Sequence, residues 1–399
     1  MNKIVAAILV DALRHDSITK KCTPFLHSLS ETGVTGEIIP QLSFSLHPAW
    51  FAGLYPKDSG KWGYYYSPRT APFTFLKPLS PIAKRSLTVN KMCNIAAGKF
   101  FHFDGTLALY LPMDMARYFD FSDKRAPWDP KYLTQTTLFD ILRKNDLEWL
   151  FIGCPGSNQA THMILKRFSE GISQKISFLW LHFAEVDWMS HKFGPRSSEA
   201  WKSLNEIDSA ICEVVKKLNQ NFEDVHLLVF GDHGMVTTKA TVDIEAKLRK
   251  TGLKPCRDYL FFLGATIARF WFKADSSRSK IKETLNQIPY GRILEENDLA
   301  KYGCNFNDSR YGDTIWVANE GTIISPNFYN GSNIPKGMHG FIPNSKNSYA
   351  AFIIKSSTIS KSLKLRNPRK LVDLFPTILD MMSLSAPPSN KGKSIFRDI

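Results

Sequence analysis

Three stretches of the chain are almost continuously apolar, and each one ends in a polar cluster. They are Ile4 to Val10, Ile176 to Phe183 and Val225 to Phe230. Apolar runs of this length are typical of central strands that helices cover on both faces. Between the second and third runs, the segment from Ser197 to Leu218 carries apolar residues at helical spacing. The pattern predicts a βαβ unit, and therefore an α/β fold with a central, mostly parallel sheet flanked by helices on both faces.

The rest of the chain predicts one domain over residues 1–399 with two insertions. The stretch 62–130 is crowded with Tyr, Phe and Pro and lacks clear periodicity, so it is either an aromatic-rich cap or an irregular part of the core. The stretch of about 237–330 mixes helical and strand patterns and is a candidate second subdomain. Near the C-terminus, Lys370 to Met382 has helical spacing interrupted by Pro376, which predicts a kinked helix or a packed helix pair.

Composition narrows the expected partners and compartment. The formal net charge of +14 favours an anionic small molecule such as a phosphate ester or a nucleotide. The basic residues are scattered, so no dedicated nucleic-acid-binding module is expected. The six cysteines lie far apart without a C-x-x-C pair, which predicts free thiols in a reducing compartment. The N-terminal apolar run stops at Asp11 and no run is long enough to span a membrane, so we expect a cytoplasmic protein of open oligomeric state.

Acidic and histidine residues collect in the polar segments that follow the predicted strands. In open parallel sheets, ligands bind outside these strand ends. Carboxylate and imidazole groups together suit a pair of divalent cations, with zinc favoured. Each residue alone has an ordinary explanation as a helix cap or a satisfied histidine, but the set predicts a two-metal site. The candidate ligands are Asp11, Asp187, His191, Asp232, His233 and His339.

The segment from Pro40 to Pro56 places hydroxyls at Ser43 and Ser45 just ahead of an apolar, helix-capable stretch. A serine at a helix N-terminus lies at the positive end of the helix dipole, where its oxygen and nearby N–H groups can meet a phosphate. The ordinary alternative is that one serine only caps the helix. No G-x-S-x-G motif marks either serine for acyl transfer.

The order of these motifs resembles the alkaline phosphatase superfamily, and within it is most similar to the type I phosphodiesterase / nucleotide pyrophosphatase branch. The resemblance covers nearly the whole chain and is weakest at about 67–130 and 240–330. It implies an alkaline phosphatase-like fold and hydrolysis of phosphodiester or pyrophosphate bonds in nucleotide-like substrates. The resemblance rests on five motifs in chain order: Asp11, Ser43 ahead of Gly53-Leu54-Tyr55-Pro56, D-x-x-x-H from Asp187, D-H-G-M from Asp232 and G-x-H-G around His339. Four further stretches are also similar to the family: Thr23 to Val34, Cys154 to Ser157, His191 to Pro195 and Val372 to Asp380.

By position, the resemblance also implies a role for each of these residues. Ser43 falls on the nucleophile and on a metal ligand, with Ser45 the alternative, and it would form a covalent phosphoseryl or nucleotidylseryl intermediate. The resemblance implies one metal held by Asp187, His191 and His339, and a second held by Asp11, Asp232 and His233.

The sequence departs from the family pattern at two positions. Leu46 stands where diesterase members commonly have an Asn that donates to a phosphate oxygen, and His47 is a candidate substitute. Ala12 stands where the first metal-binding Asp is usually followed by Gly. Arg14, in the same stretch, is expected to form a structural ion pair rather than to contact substrate.

Substrate preference is left open by the sequence. Trp62 and Tyr66 are candidates for stacking on a base or sugar, although core packing explains such aromatics equally well. A phosphomonoesterase or phosphotransferase of the same superfamily is an alternative to the diesterase. A metal-stabilised binding protein without catalysis is a second alternative, and Leu46 makes it conceivable.

Overall fold

The computed structural model describes residues 2–43, 45–69, 71, 88, 92, 95, 108–153, 160–359 and 361–398. The strands are β1 (Lys3–Val10), β2 (Val34–Ile39), β3 (Tyr64–Tyr66), β4 (Phe119–Phe121), β5 (Glu148–Ile152), β6 (Ile176–Phe183), β7 (Asp224–Phe230), β8 (Val236–Thr237), β9 (Ala240–Val242), β10 (Tyr259–Leu263), β11 (Ile267–Phe272), β12 (Gly291–Ile293), β13 (Thr314–Ala318), β14 (Thr322–Ile324), β15 (Gly337–Met338), β16 (Ala350–Lys355), β17 (Leu363–Lys364) and β18 (Arg369–Lys370). The helices are α1 (Pro24–Thr32), α2 (His47–Ala52), α3 (Pro56–Ser59), α4 (Met113–Ala116), α5 (Leu138–Lys144), α6 (Thr161–Gly171), α7 (Glu185–Phe193), α8 (Ser198–Asn221), α9 (Ile244–Arg249), α10 (Asp275–Asn286), α11 (Glu296–Lys301) and α12 (Leu374–Met381).

The main sheet runs in the order β17-β2-β16-β7-β1-β6-β5, and β18 also pairs with β2. Strand β1 lies between β7 and β6 and is parallel to both. Strand β16 is antiparallel to β7 and to β2, so β2 points in the same direction as β1, β6 and β7. The mostly parallel sheet that the sequence predicts is confirmed, and so are its three central strands.

Both faces of the sheet are buried, as the unbroken apolar run of β1 requires. Val5, Ala7 and Leu9 pack into a cluster with α2, α5 and α12. The alternate residues from Ile4 to Val10 pack into a second cluster with α1, α6 and α8. Because successive strand side chains point to opposite faces, a strand with helices on both sides buries every side chain, which explains why β1 is apolar from Ile4 to Val10.

A second, antiparallel sheet runs β10-β11-β13-β12 and has its own hydrophobic cluster. It lies within the range 237–330, where the sequence predicts a subdomain. The described residues cover about half of the cap predicted at 62–130, and the Cys154 to Ser157 motif lies outside them. The kink predicted at Pro376 is wrong, because this proline lies in the first turn of α12, where no helical hydrogen bond is lost.

None of the helices in the described ranges is long and apolar enough to cross a membrane. Four of the six cysteines belong to the described residues and are free thiols: Cys22, Cys212, Cys256 and Cys304. The cytoplasmic location stays a prediction.

Candidate metal centre

The predicted site residues meet at one edge of the main sheet. Asp11 follows β1, Asp232 follows β7, and Asp187 lies in the first turn of α7, which begins just beyond β6. Ser43 follows β2, which points in the same direction as these three strands. All four residues therefore lie at the carboxyl edge of the sheet, where parallel sheets bind their ligands.

The first ligand group is built on α7. Asp187 and His191 are one helical turn apart and face each other, with Asp187 Oδ1 3.3 Å from His191 Nε2. The third member, His339, has its Nε2 3.8 Å from the same carboxylate oxygen. One ligand atom from each of these residues lies within 4.8 Å of the other two, which is close enough for one cation to bind all three.

Pairing of two very short strands brings His339 to this place. Strand β15, just before His339, is antiparallel to β8, just after His233. The two imidazole rings stack with their centroids 3.7 Å apart. Gly337 allows the approach to α7, because a Cβ at this position would lie 2.6 Å from the carbonyl oxygen of Ser190.

The second ligand group is centred on His233. Its Nε2 lies 3.2 Å from Asp11 Oδ1 and 3.5 Å from Asp232 Oδ2. Asp11, Asp187 and His233 also meet within 4.8 Å, so Asp187 faces both groups. The structure thus brings all six predicted ligands into one continuous cluster.

Backbone carbonyls fix the orientation of two of the imidazoles. His191 Nδ1 lies 2.8 Å from the Gly337 oxygen, and His233 Nδ1 lies 2.9 Å from the Gly234 oxygen. A carbonyl oxygen only accepts, so each Nδ1 carries the proton and donates it. The Nε2 atoms are left facing the carboxylates, which is the arrangement that metal-binding histidines use.

Two buried carboxylate oxygens support the fit of this cluster to cations. Asp11 Oδ1 and Asp187 Oδ1 have no hydrogen-bond partner among the described residues. Their ion pairs with His233 Nε2 and His191 Nε2, at 3.2 and 3.3 Å, are longer than a charge-assisted hydrogen bond, so each oxygen can still bind a cation. Each of the two oxygens belongs to a group with imidazole nitrogens, and this mixed donor set suits zinc.

The charges of the cluster interact strongly. Burial, followed by the nearby charge of Asp11, raises the pKa of Asp232 to about 7. Burial opposes a charge on His233, but the carboxylates of Asp232 and Asp11 raise its pKa to about 10. Burial and the positive charges of His233 and His191 hold the pKa of His339 well below its ordinary value. A cation would displace protons from such a cluster, so we expect metal affinity to increase with pH.

The two candidate serines differ in their surroundings. The residue that caps α2 is Leu46, without a side-chain hydrogen bond, so neither serine is the N-cap. Ser45 Oγ donates to the buried carboxylate of Asp123. Ser43 is 6% exposed, and its Oγ accepts from the backbone N–H of Ser45 at 3.0 Å. The Ser45 hydroxyl is therefore committed to Asp123, which favours Ser43 as the reactive group.

His47 is a buried, neutral imidazole next to these serines. Burial lowers its pKa to about 4, against the opposing effect of Asp123, and the charges of His182 and Lys61 lower it further. Its Nε2 has no hydrogen-bond partner among the described residues.

The two aromatic candidates do not join the cluster. Trp62 is 1% exposed, its indole N–H donates to the Leu42 oxygen, and the Arg269 guanidinium lies 4.1 Å from its ring centroid. The prediction that Trp62 stacks on a substrate is therefore wrong, because its ring is part of the core. Tyr66 lines a surface pocket with Trp271, and none of the six predicted ligands lines that pocket.

Two further residues that the sequence did not indicate contact the site. His182, in the apolar run of β6, lies with its Nε2 3.1 Å from Asp11 Oδ2. Asp123, in the stretch without periodicity, anchors Ser45. The available signal for His182 was a polar residue within an otherwise apolar strand.

Arg14 pairs with Asp16 at 2.9 Å, so its predicted structural ion pair is confirmed.

Known proteins are similar in sequence to this chain over part of their length. A segment of 221 residues is 27% identical to bis(5'-adenosyl)-triphosphatase ENPP4 of Bos taurus and covers 54% of this chain and 46% of that protein. The human ENPP4 is 25% identical over 223 residues, with the same coverage. Ectonucleotide pyrophosphatase/phosphodiesterase family member 7 of Mus musculus is 21% identical over 267 residues, 64% of this chain and 56% of that protein. The matched segments thus span about half the length of these curated relatives.

Solved structures show the same fold over the whole chain. Murine ectonucleotide pyrophosphatase / phosphodiesterase 5, solved as an inactive variant in complex with AMP, superposes with a TM-score of 0.71 at 15% identity, covering 99% of this chain and 98% of that one. The human protein superposes with the same score at 16% identity and the same coverage. This likeness confirms the predicted α/β fold.

A family model settles the relationship that the motifs predict. The model of type I phosphodiesterase / nucleotide pyrophosphatase matches residues 5–342, a range that contains all six candidate metal ligands and Ser43. The chain therefore belongs to the type I phosphodiesterase / nucleotide pyrophosphatase family.

Proposed function

We propose that the chain hydrolyses phosphodiester or pyrophosphate bonds of nucleotide-like substrates at a centre of two divalent cations. The observation that carries the proposal is the single cluster of six candidate ligands at the carboxyl edge of the sheet, with two buried carboxylate oxygens that accept no hydrogen bond from the described residues. Family membership supports the reaction class. The AMP bound to the related murine protein, and the name of the ENPP4 relatives, support a nucleotide as substrate.

The candidate ligands form two neighbouring sets at the carboxyl edge of the main sheet. Zinc is the favoured cation, because both sets mix imidazole with carboxylate. When bound, such cations lower the pKa of a serine hydroxyl and stabilise negative charge on phosphoryl and leaving-group oxygens. In the proposal one cation is held by Asp187, His191 and His339, and the other by Asp11, Asp232, His233 and the hydroxyl of Ser43.

Ser43 is the proposed nucleophile. Its Oγ attacks phosphorus, the bond to the leaving oxygen breaks, and the phosphoryl or nucleotidyl group is held on Ser43. Water then attacks the same phosphorus and Ser43 leaves. Two successive inversions give net retention of configuration at phosphorus. The bond from Ser45 to Asp123 anchors this loop, so Ser43 is presented from a fixed backbone.

His47 is the proposed contact to a non-bridging phosphate oxygen. Its neighbour Leu46 occupies the position at which family members commonly have an Asn donor. A neutral imidazole with an unpartnered Nε2 can donate one N–H bond without adding charge, and the low pKa keeps His47 neutral at neutral pH.

Turnover of defined substrates tests the proposal. We expect the zinc-loaded protein to hydrolyse bis-p-nitrophenyl phosphate or a dinucleoside polyphosphate, and Ser43→Ala to lose about 10³-fold or more in kcat. Ser45→Ala is the matched comparison: it removes only the anchor to Asp123 and is expected to lose much less activity than Ser43→Ala. If the zinc-loaded protein turned over none of these compounds, the proposal would fail. Hydrolysis of p-nitrophenyl phosphate well above that of the diester would favour the monoesterase alternative, which Leu46 makes reasonable.

A further inference from the structure

His182 occupies an unusual position for a polar side chain. It lies in the carboxyl-terminal part of β6, between apolar neighbours, and is 2% exposed. Strand β6 is parallel to β1, with His182 opposite Leu9, two residues before Asp11. From there its Nε2 reaches Asp11 Oδ2 at 3.1 Å. The imidazole therefore connects one central strand to the carboxylate that follows the next.

A second buried histidine of the same sheet provides a comparison. His226, in the first half of β7, is also 2% exposed, and its Nε2 lies 2.9 Å from Asp224 Oδ2. Its Nδ1 is satisfied as well, by Ser356 Oγ at 2.8 Å. His182 Nδ1, in contrast, has no hydrogen-bond partner among the described residues.

This difference argues that His182 is not present for stability. An unsatisfied buried polar atom costs about 1–3 kcal/mol, so an apolar residue of similar size would fill the position at lower cost. His226 is a fully paired structural histidine, whereas His182 has one recorded bond, and that bond is to a candidate metal ligand.

The end of β5 fixes the place of His182. Gly153 follows β5 with a φ of +86°, and a Cβ there would lie 2.6 Å from the His182 carbonyl oxygen and 2.9 Å from its Cβ. The backbone of β5 can approach His182 so closely because residue 153 is glycine. The His182 backbone is therefore held from one side by β5 and from the other by β1.

We propose that His182 is a positioning residue for the metal centre. Its Nε2–H donates to Asp11 Oδ2 and so turns Asp11 Oδ1 towards His233 and Asp187, the two residues with which Asp11 forms a candidate ligand group. Hydrogen bonds of this kind set the orientation of a ligand carboxylate, and their loss typically lowers metal affinity by about 10–100-fold. The inference rests on the proposed metal-dependent function and adds the residue that orients Asp11.

Zinc affinity, measured by competition with a chromophoric chelator, tests the inference without an activity assay. We expect His182→Leu and His182→Met, which lack a donor, to bind zinc about 10–100-fold more weakly than the wild type. His182→Gln supplies an amide N–H and is expected to recover most of the affinity. His226→Leu is the matched control: it removes a buried His–Asp pair at the other end of the sheet and is expected to lower stability but to leave zinc affinity unchanged.

The Co²⁺-substituted protein gives a second readout. We expect its visible absorption spectrum to change in His182→Leu or His182→Met and to stay as in the wild type in His226→Leu. Wild-type zinc affinity and an unchanged spectrum in the folded His182 variants would overturn the inference, and so would an equal loss of affinity in His226→Leu. A wild-type protein that bound no zinc or other divalent cation would instead contradict the proposed function itself.

Discussion

Ala12 holds a left-handed backbone conformation directly after Asp11. Its φ of +60° lies in the region that residues with a Cβ rarely adopt. In this conformation its N–H donates to Asp232 Oδ1 at 3.3 Å, so the turn joins the ends of β1 and β7. The glycine usual at this position in the family would adopt the turn without strain, which explains the preference in physical terms.

We predict that Ala12→Gly stabilises the protein by about 0.5–1 kcal/mol. The left-handed conformation costs alanine about 1–2 kcal/mol, and this exceeds the extra chain entropy that glycine loses on folding. Urea unfolding measures the change. Ala210→Gly is a matched control in the interior of α8, where the same replacement is expected to destabilise by about 1 kcal/mol. A lower stability of Ala12→Gly would contradict the account of the strained turn.

At this scale the sequence predicted the six residues that form the cluster but missed some of the residues that contact them. Asp11 and Asp232 were recognisable in the sequence because each lies just after an apolar run that predicts a strand. His182 did not, since its role depends on the neighbour that strand pairing gives it. Trp62 stayed open between substrate stacking and core packing, because aromatic residues in a stretch without periodicity look alike, whether they face a ligand or the core.

The first turn of helix α1 is capped by a side chain of helix α8. Its own N-cap, Thr23, makes no side-chain cap bond to the helix. Asp208 of α8 accepts from the N–H groups of Phe25, at 3.0 Å, and Leu26, at 2.8 Å. A carboxylate of another helix thus satisfies donors that the first turn of α1 would otherwise leave without a partner.

We predict that Asp208→Ala destabilises the protein by about 1–3 kcal/mol, because two N–H groups lose their acceptor. Asp208→Asn keeps one acceptor oxygen and is expected to lose less. Ser209→Ala, at an exposed neighbour, serves as the control with little expected effect. A loss below 0.5 kcal/mol for Asp208→Ala would contradict the role in capping, with ~0.5 kcal/mol the usual scale of surface changes.

We also predict that the contribution of Asp208 to the stability of the protein depends on pH. Burial raises the pKa of Asp208, although the bonds from Leu26 and Phe25 act against it. A raised pKa means that the neutral carboxyl is favoured in the fold, so this contribution to stability is present below the unfolded-state pKa and is lost as the pH rises through the folded-state pKa. The stability of the wild type relative to Asp208→Asn should therefore fall over this range. A relative stability that rises with pH would contradict the raised pKa.

Element prediction succeeded where the pattern was long and regular. Strands β1 and β6 were predicted closely because each is one almost continuous apolar run, and helix α8 because its apolar residues keep helical spacing over several turns. The pairing of β15 with β8 could not be predicted, since two-residue strands carry no periodicity and are defined by their partner. Yet this pairing is what brings His339 to His233.

Distant parts of the chain meet at the candidate metal centre. The candidate ligands come from positions between Asp11 and His339, and those that follow β1, β6 and β7 meet because these strands are neighbours in one parallel sheet. The three carboxylates of the cluster repel one another unless protons or cations lie between them. Metal binding is therefore expected to stabilise the fold as well as to support the reaction.

We predict that a chelator lowers the melting temperature of the metal-loaded protein by several degrees and that added zinc restores it. A ligand present at 1,000 times its Kd stabilises the native state by about 4 kcal/mol, and dialysis against a chelator removes this contribution. Thermal unfolding followed by circular dichroism measures the shift. Identical melting curves before and after chelation would contradict the coupling of metal and fold.

The metal content of the purified, zinc-reconstituted chain is the most direct test of a two-metal centre. Elemental analysis is expected to find about two zinc ions per chain in the wild type. Asp187→Ala should hold about one, because it removes a carboxylate from the set that Asp187, His191 and His339 form. Glu185→Ala, two residues earlier on α7 and bonded to Thr161, should keep both ions. A wild-type chain that held no divalent cation while hydrolysing diesters at full rate would contradict the account.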